Sequence, residues 1–222
     1  MMAALGMFSA SCSKTKYVWR TEDEYYKLTK WSDKVSEFKK VKMEPNTAKL
    51  FIGDSITEGY DLQRAFADNT VVNMGIGGEY TTGILMRMDI ARQLQPAKIF
   101  LMIGINDITT GISQAVLHQR YANILSTFKQ ECPQTQVYVQ STLPTRLVGG
   151  TAESNQKYID QVKTLNEYLA SICATYGYTY IDLYALFEKE EALNANYTYD
   201  GIHISPEGYA VWTEAIRHHV VN

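Results

Sequence analysis

Residues 48–57 read AKLFIGDSIT, and this stretch decides the fold of the chain. Its first half is a short apolar run that ends at Gly53, which predicts a buried β-strand. The polar triplet Gly53-Asp54-Ser55 follows directly, in the turn after the strand. In open parallel sheets, ligands collect at the carboxyl ends of the strands, so the residues that follow each strand are the candidates for chemistry.

The same alternation of apolar runs and helical periodicity continues along the chain. Further strands are predicted at residues 70–73, 97–103, 136–141 and 179–181. Helices are predicted within residues 20–42 and at 82–93, 113–130, 155–176 and 206–221. Because parallel neighbours need crossover connections, this pattern predicts a three-layer α/β/α domain with a parallel five-stranded sheet. Residues 143–154, with Gly149-Gly150 at their centre, are predicted to form a weakly structured insert.

Length and composition favour one domain and argue against a nucleic-acid partner and against a membrane-spanning helix. The chain has 222 residues, of which 45% are hydrophobic, and we predict a single domain over residues 20–222. A net charge of −3 leaves no surplus of Lys and Arg for a nucleic-acid backbone, so nucleic acid is not an expected partner. No stretch approaches the ~20 apolar residues of a membrane-spanning helix.

Residues 1–19 resemble the signal segment of a bacterial lipoprotein. Met1 to Phe8 is apolar, and Ser9-Ala10-Ser11 precedes Cys12 as small residues precede a lipidated cysteine. The apolar part is short and has no positive charge before it, so a disordered N-terminus with an incidental cysteine is the alternative. We favour a lipid anchor at Cys12, which would place the protein in the cell envelope or periplasm. Without it, the expected location is cytoplasmic.

The other two cysteines are too few and too far apart for a disulfide framework or a metal site. Cys132 and Cys173 are interpreted as buried thiols, with a single bridge as the alternative in an exported protein.

Several polar residues follow the predicted strands, and each has a plain structural explanation when taken alone. Asp54 or Ser55 could cap a helix, the glycine-rich turn at 75–78 could satisfy backbone angles, and Asn106-Asp107 could be an ordinary turn. His203 alone could be a surface histidine.

Together these residues supply what acyl transfer requires. Ser55 is the candidate nucleophile and His203 the base that takes its proton. Asp200, three residues earlier, is placed to hold the imidazole in the required tautomer. The helix start predicted at Ser205-Pro206-Glu207 would keep this loop rigid.

The tetrahedral intermediate also needs donors aimed at its oxyanion, each worth about 3 kcal/mol. The candidates are the backbone N–H groups of Ser55 and Gly78 and the side-chain amide of Asn106. Asp54 and Asp107, next to Ser55 and Asn106, are predicted to support them.

Four blocks, in this order, resemble those of the SGNH hydrolase superfamily, also called GDSL esterases and lipases. They are Gly53-Asp54-Ser55, Gly78, Gly104-Ile105-Asn106-Asp107 and Asp200-Gly201-Ile202-His203. The resemblance extends from about residue 49 to 209 and implies a flavodoxin-like sheet. It also implies Ser55 as nucleophile, Gly78 and Asn106 as oxyanion donors, Asp200 and His203 as the remaining pair, and neither metal nor cofactor.

Residues 73–78, with Thr81-Thr82 and Arg87, are further similar to the branch that contains platelet-activating-factor acetylhydrolase catalytic subunits and bacterial acylesterases. This similarity implies short acyl groups. Ile56 replaces the leucine of the family motif, and Glu79 replaces an aspartate; neither is expected to touch a catalytic atom.

The sequence therefore predicts a serine esterase that acts on a small ester, an acylated carbohydrate or lipid. Two alternatives are an acyltransferase that uses the same acyl-enzyme and a non-catalytic glycan-binding envelope protein. The second alternative predicts losses among the catalytic residues, and this sequence has none. Arg146, in the insert, could meet an anionic group but is interpreted as a solvated loop residue.

Overall fold

A computed structural model describes residues 29–146 and 151–222 of the chain. Its centre is a parallel sheet of five strands in the order β2-β1-β3-β4-β5. The strands are β1 (Lys49–Gly53), β2 (Val71–Gly75), β3 (Lys98–Met102), β4 (Gln136–Gln140) and β5 (Thr179–Ile181). The predicted three-layer fold with a flavodoxin-like sheet is confirmed.

Helices connect the strands and cover both faces of the sheet. They are α1 (Thr29–Phe38), α2 (Ser55–Glu58), α3 (Leu62–Phe66), α4 (Thr81–Met86), α5 (Met88–Leu94), α6 (Ile105–Thr109), α7 (Gln114–Glu131), α8 (Ala152–Tyr176), α9 (Tyr184–Phe187) and α10 (Pro206–Val221). A two-stranded hairpin, β6 (Glu188–Lys189) with β7 (Ala192–Leu193), and a 3₁₀ turn (Ala195–Tyr197) lie before α10. Among these helices, none is long and apolar enough to cross a membrane.

The central strands β1 and β3 are buried on both faces, and alternate side chains enter two separate cores. In β1, Leu50 and Ile52 belong to the core that α1, α4, α5, α7 and α8 cover. Phe51 belongs to the opposite core, where it stacks on Phe100 of β3 beneath α3 and α10. This two-sided burial explains why the strands are short continuous apolar runs, as expected for a parallel sheet.

The helix predicted within residues 20–42 is present as α1, Thr29–Phe38, and the predicted residues before Thr29 lie outside the described residues. Two other sequence predictions are wrong. The helix predicted at 82–93 is two helices, because the backbone leaves helical angles at Arg87, whose side chain turns inward to Met74 O. The weakly structured insert is shorter than predicted, because Thr151 caps α8 and the helix begins at Ala152.

The predictions for the start of the last helix and for the two later cysteines are confirmed. The start of the last helix is confirmed: Ser205 caps α10 and Pro206 is its first residue. Cys132 and Cys173 are buried free thiols. The predicted segment 1–19, with Cys12, lies outside the described residues.

The strand register brings the ends of three strands to one level. Gly53, the last residue of β1, pairs with Gly75 at the end of β2 and with Met102 at the end of β3. The chain after each strand therefore leaves the sheet at the same edge. This edge is the crevice in which doubly wound sheets bind ligands.

Gly75 allows the turn after β1 to pack directly on β2. A Cβ at Gly75 would lie 2.2 Å from the backbone nitrogen of Glu58, which is backbone and cannot move aside as a side chain would. We expect Gly75→Ala to lower the free energy of unfolding by about 3 kcal/mol through this overlap. The measurement is urea denaturation followed by circular dichroism.

Gly177→Ala is the matched control, because Gly177 caps α8 with a φ of +69° and a Cβ there would meet nothing within 4 Å. Only backbone strain opposes this substitution, so its expected cost is about 1 kcal/mol. Equal losses in the two variants would contradict the packing argument.

Candidate active site

Ser55 is held at a sharp turn between strand and helix. It is the first residue of α2, directly after β1. Asp54 caps this helix: its carboxylate accepts a hydrogen bond of 3.0 Å from the backbone N–H of Ile56. This cap fixes the first turn of α2, so the Ser55 hydroxyl lies at the carboxyl edge of the sheet.

Ser55, His203 and Asp200 form one chain of hydrogen bonds. His203 Nε2 lies 2.8 Å from Ser55 Oγ, and His203 Nδ1 lies 2.6 Å from Asp200 Oδ2. Because an ionised carboxylate only accepts, the proton belongs on Nδ1, and Nε2 is left to accept from the serine hydroxyl. The structure thus brings together the three residues that the sequence predicts as nucleophile, base and orienting acid.

Asp200 is kept ionised by the donors around it. Its partial burial opposes the charge, but the hydrogen bonds from the His203 ring and from the backbone N–H groups of Ile202 and His203 outweigh it, so the pKa of Asp200 lies below its ordinary value. An ionised Asp200 holds the imidazole and stabilises the imidazolium that forms when His203 takes a proton.

The loop that carries Asp200 and His203 is fastened at several points. Thr198 Oγ1 donates to His203 O at 2.6 Å and accepts from the Gly201 backbone N–H at 2.8 Å. The Arg146 backbone N–H donates to Gly201 O at 2.7 Å, and Arg146 Nε donates to Leu193 O at 2.7 Å. Interpreting Arg146 as a solvated residue is therefore wrong: its backbone and guanidinium join the His203 loop to the β6–β7 hairpin.

The candidate oxyanion donors follow the ends of β2 and β3. Gly78 follows β2 with a φ of +74°, and a Cβ there would meet nothing within 4 Å. Asn106, in the first turn of α6, donates one Nδ2 hydrogen to Glu79 O at 2.9 Å. Since an amide has two hydrogens, this contact orients the group and leaves the second hydrogen for a substrate oxygen.

Asp107 is a buried brace behind Asn106. It accepts from the backbone N–H of Thr81 at 3.0 Å, from Thr81 Oγ1 at 2.7 Å and from Arg120 at 3.0 Å. Its side chain therefore ties α6 to the start of α4 and to α7. These contacts are consistent with the supporting role that the sequence predicts for Asp107, which is to hold α6 and hence Asn106 in place.

Glu79 is the residue whose importance the sequence analysis missed. Its carboxylate is buried and accepts from Trp31 Nε1 at 2.8 Å and from Arg87 Nε at 2.9 Å. Its backbone oxygen accepts from Asn106, so Glu79 contacts a side chain that the sequence predicts as an oxyanion donor. The sequence signal for this role was Arg87, eight residues later, a cation that can pair with a buried acid.

A cavity of about 730 Å³ leads away from Ser55 between α3 and α10. Tyr199, Ile204, Pro206 and Tyr209 line its inner part, and Asp61, Arg64, Glu214 and Arg217 lie farther along it. We call it the α3/α10 groove. Tyr199 is 72% exposed, and its ring is parallel to that of His203 at 6.0 Å between centroids.

Comparisons with known proteins find a family whose model matches most of the chain. The model of the GDSL-like lipase/acylhydrolase family matches residues 51–211, about three quarters of the chain. The comparison with curated proteins found no match.

Several solved structures share the fold at low sequence identity. A Streptococcus pneumonia protein provisionally named as a platelet activating factor is 24% identical, with a TM-score of 0.75 over 89% of this chain and 95% of its own. A GDSL-like lipase from Bacteroides thetaiotaomicron is 21% identical, with a TM-score of 0.75 over 85% and 96%. An acetyl xylan esterase is 17% identical, with a TM-score of 0.64 over 78% and 100%.

Burial raises the pKa of Asp54 to about 7. The hydrogen bond from the Ile56 N–H and the charge of His203 act to lower this pKa. The charges of Glu79 and Asp107 act to raise it further. Between pH 4 and 7 the folded protein therefore holds a proton that the unfolded chain releases, so stability falls as pH rises through this window.

We expect Asp54→Asn to remove this dependence, because the amide keeps an acceptor for Ile56 and does not ionise. The free energy of unfolding of the variant, relative to wild type, should rise by about 2 kcal/mol between pH 4.5 and 7.5. Urea denaturation at a series of pH values measures it. A difference that stays constant across the series would contradict the buried, protonated Asp54.

Proposed function

The chain belongs to the GDSL-like lipase/acylhydrolase family and is a carboxylic ester hydrolase, and we propose that it acts through an acyl-enzyme on Ser55. The observation that carries this proposal is the hydrogen-bonded chain Ser55–His203–Asp200, with separations of 2.8 and 2.6 Å. We propose Gly78 and Asn106, which follow the ends of β2 and β3, as the oxyanion donors. Each group that two-step acyl transfer needs is thus present at one edge of the sheet.

In the first step, Ser55 Oγ attacks the ester carbonyl carbon while its proton moves to His203 Nε2. The negative charge on the carbonyl oxygen is held by the N–H groups of Ser55 and Gly78 and by the Asn106 amide. The C–O bond to the alcohol then breaks, and the alcohol leaves with the proton from His203. In the second step, water attacks the acyl-enzyme with His203 as base, and the carboxylic acid is released.

We propose that the alcohol part of the ester occupies the α3/α10 groove. The leaving oxygen must reach His203, because it takes a proton from that residue, whereas the carbonyl oxygen must point to Gly78 and Asn106. The groove begins at Ser55 and is lined by Tyr199 and Ile204, which lie in the loop that carries His203. It therefore extends from the side on which the alcohol departs.

The chemistry of the groove favours a large polar alcohol. Two arginines, Arg64 and Arg217, are balanced by two carboxylates, Asp61 and Glu214, so the walls offer donors and acceptors without a net charge. The exposed ring of Tyr199 adds a flat apolar surface on which a ring can stack. These features suit an acylated carbohydrate better than a simple alkyl ester, and an acylated lipid with a polar headgroup is the alternative.

The acyl group is proposed to be short, an acetyl group first of all. The support is the sequence similarity of the segment from Asn73 to Gly78 to acylesterases that act on short acyl groups, together with the structural likeness to an acetyl xylan esterase.

A fluorophosphonate probe tests the nucleophile directly. We expect the folded protein to be labelled at Ser55 and to hydrolyse an aryl acetate, and Ser55→Ala to lose both properties because it removes the hydroxyl that is paired with His203 Nε2. Mass spectrometry of the labelled peptide gives the site. Ser36→Ala, which changes an exposed serine of α1, is the control and should behave as wild type. Folded wild-type protein that is neither labelled nor active would exclude the proposal.

Tyr199→Ala tests the assignment of the groove. Loss of stacking should raise KM for an acetylated oligosaccharide about tenfold, equivalent to about 1.4 kcal/mol, and leave KM for ethyl acetate unchanged. Steady-state kinetics with both esters measure this.

Leu186→Ala is the matched control, since Leu186 is also an exposed large side chain, 48% accessible, and does not line the groove. If Tyr199→Ala raises KM only for an acetylated phospholipid, the lipid alternative is correct. If KM is unchanged for all three esters, the alcohol does not contact Tyr199 and the assignment fails.

A further inference from the structure

We propose that helix α1 positions the oxyanion donors, with Trp31 as the residue that transmits its effect. The inference rests on the proposed function of the site and deepens it. Residues Gly77, Gly78 and Glu79, here called the oxyanion segment, follow β2. The two residues on either side of Gly78 are each held by a hydrogen-bonded contact that leads back to α1.

The first contact runs through Glu58. The backbone N–H of Gly77 donates to Glu58 Oε2 at 2.9 Å, and Lys30 Nζ of α1 donates to the same oxygen at 3.0 Å. Glu58 is the last residue of α2, the helix that begins with Ser55. One carboxylate therefore joins α1, the nucleophile helix and the oxyanion segment.

The second contact runs through Glu79 and is fully enclosed. Trp31 Nε1 donates to Glu79 Oε1 at 2.8 Å, and the Arg87 guanidinium donates to both carboxylate oxygens. Trp31, Glu79 and Arg87 are 5%, 1% and 3% exposed. A charged pair this deeply buried needs its remaining lone pairs satisfied, and the indole N–H of Trp31 does so.

The position of Glu79 determines where both proposed donors point. Its backbone oxygen accepts the Asn106 amide at 2.9 Å, so a shift of Glu79 turns that amide. Its backbone nitrogen follows Gly78, which has a φ of +74°, and donates to Ile76 O at 3.1 Å. Because hydrogen bonds hold Gly77 and Glu79 on either side, these two residues set the direction of the Gly78 N–H.

Kinetic measurements on the folded enzyme distinguish a positioning role of Trp31 from packing alone. Trp31 also belongs to the hydrophobic core, so its removal will lower stability in either case. A residue that only packs should affect unfolding and leave the turnover of the folded enzyme unchanged. A residue that aims the donors should lower kcat and weaken binding of a tetrahedral oxyanion, with little change in KM, because the donors act most strongly in the transition state.

The test uses Trp31→Phe, which keeps a buried aromatic ring and removes the N–H. We expect kcat for an aryl acetate to fall about tenfold, KM to stay within twofold, and Ki for a trifluoromethyl ketone to rise by the same factor as kcat falls. A trifluoromethyl ketone adds the serine hydroxyl to form a tetrahedral oxyanion, so its Ki reports the donors.

Val35→Ala is the matched control in the same helix. Val35 is buried in the same core and makes no hydrogen bond with its side chain, so this variant should lower the melting temperature and keep kcat and Ki within twofold of wild type. Lys30→Met provides a second variant at an exposed position, which avoids a folding defect; kcat should fall about threefold with KM unchanged.

Three results would overturn the inference. They are wild-type kcat and Ki in Trp31→Phe, a loss in Val35→Ala equal to that in Trp31→Phe, or, should Trp31→Phe not fold, wild-type kcat in Lys30→Met. Failure of the proposed function is a different result, since wild-type protein itself would then be inactive towards the ester and unlabelled at Ser55.

Discussion

The parallel pairing of β1 with both β2 and β3 in a common register is the constraint on which the site depends. Gly53 pairs with Gly75 on one side and with Met102 on the other, so three strands end at one level. The residues proposed as nucleophile and oxyanion donors, Ser55, Gly78 and Asn106, each lie within a few residues of one of these ends. A shift of one strand by one residue would reverse its faces and remove its contribution.

Buried carboxylates keep the turns after these strands in place. Asp54 caps α2 under Ser55, Glu79 fixes the oxyanion segment, and Asp107 ties Asn106 to α4. Each burial carries a desolvation cost, which hydrogen bonds from backbone, hydroxyl or guanidinium groups offset. Buried, hydrogen-bonded carboxylates of this kind keep the proposed oxyanion donors fixed. This suits acyl transfer, because donors that are already oriented need no reorganisation as charge develops.

The parts of the site that depend on local sequence could be predicted, and the parts that depend on contacts between distant residues could not. The Asp200–His203 pair follows from a spacing of three residues in one turn, and the apolar runs of the sheet identify the strand ends after which Ser55 and Asn106 stand. The contact of Trp31 with Glu79 joins residues 48 apart, and nothing in the periodicity of α1 separates it from an ordinary core tryptophan. Arg146 was misjudged for the same reason, since its partner Leu193 is 47 residues away.

The two halves of the site differ in their access to water, and this difference bears on catalysis. The side chains of Asp200 and His203 are 42% and 34% exposed, whereas the carboxylate of Glu79 behind the oxyanion donors is wholly buried. Solvent weakens the attraction between an imidazolium and a carboxylate, and its removal strengthens it. Under the proposed function, the leaving alcohol must reach His203 Nε2, so bound substrate displaces solvent from the imidazole ring. Substrate binding then strengthens the acid–base half of the site, while the oxyanion half is enclosed by the fold from the start.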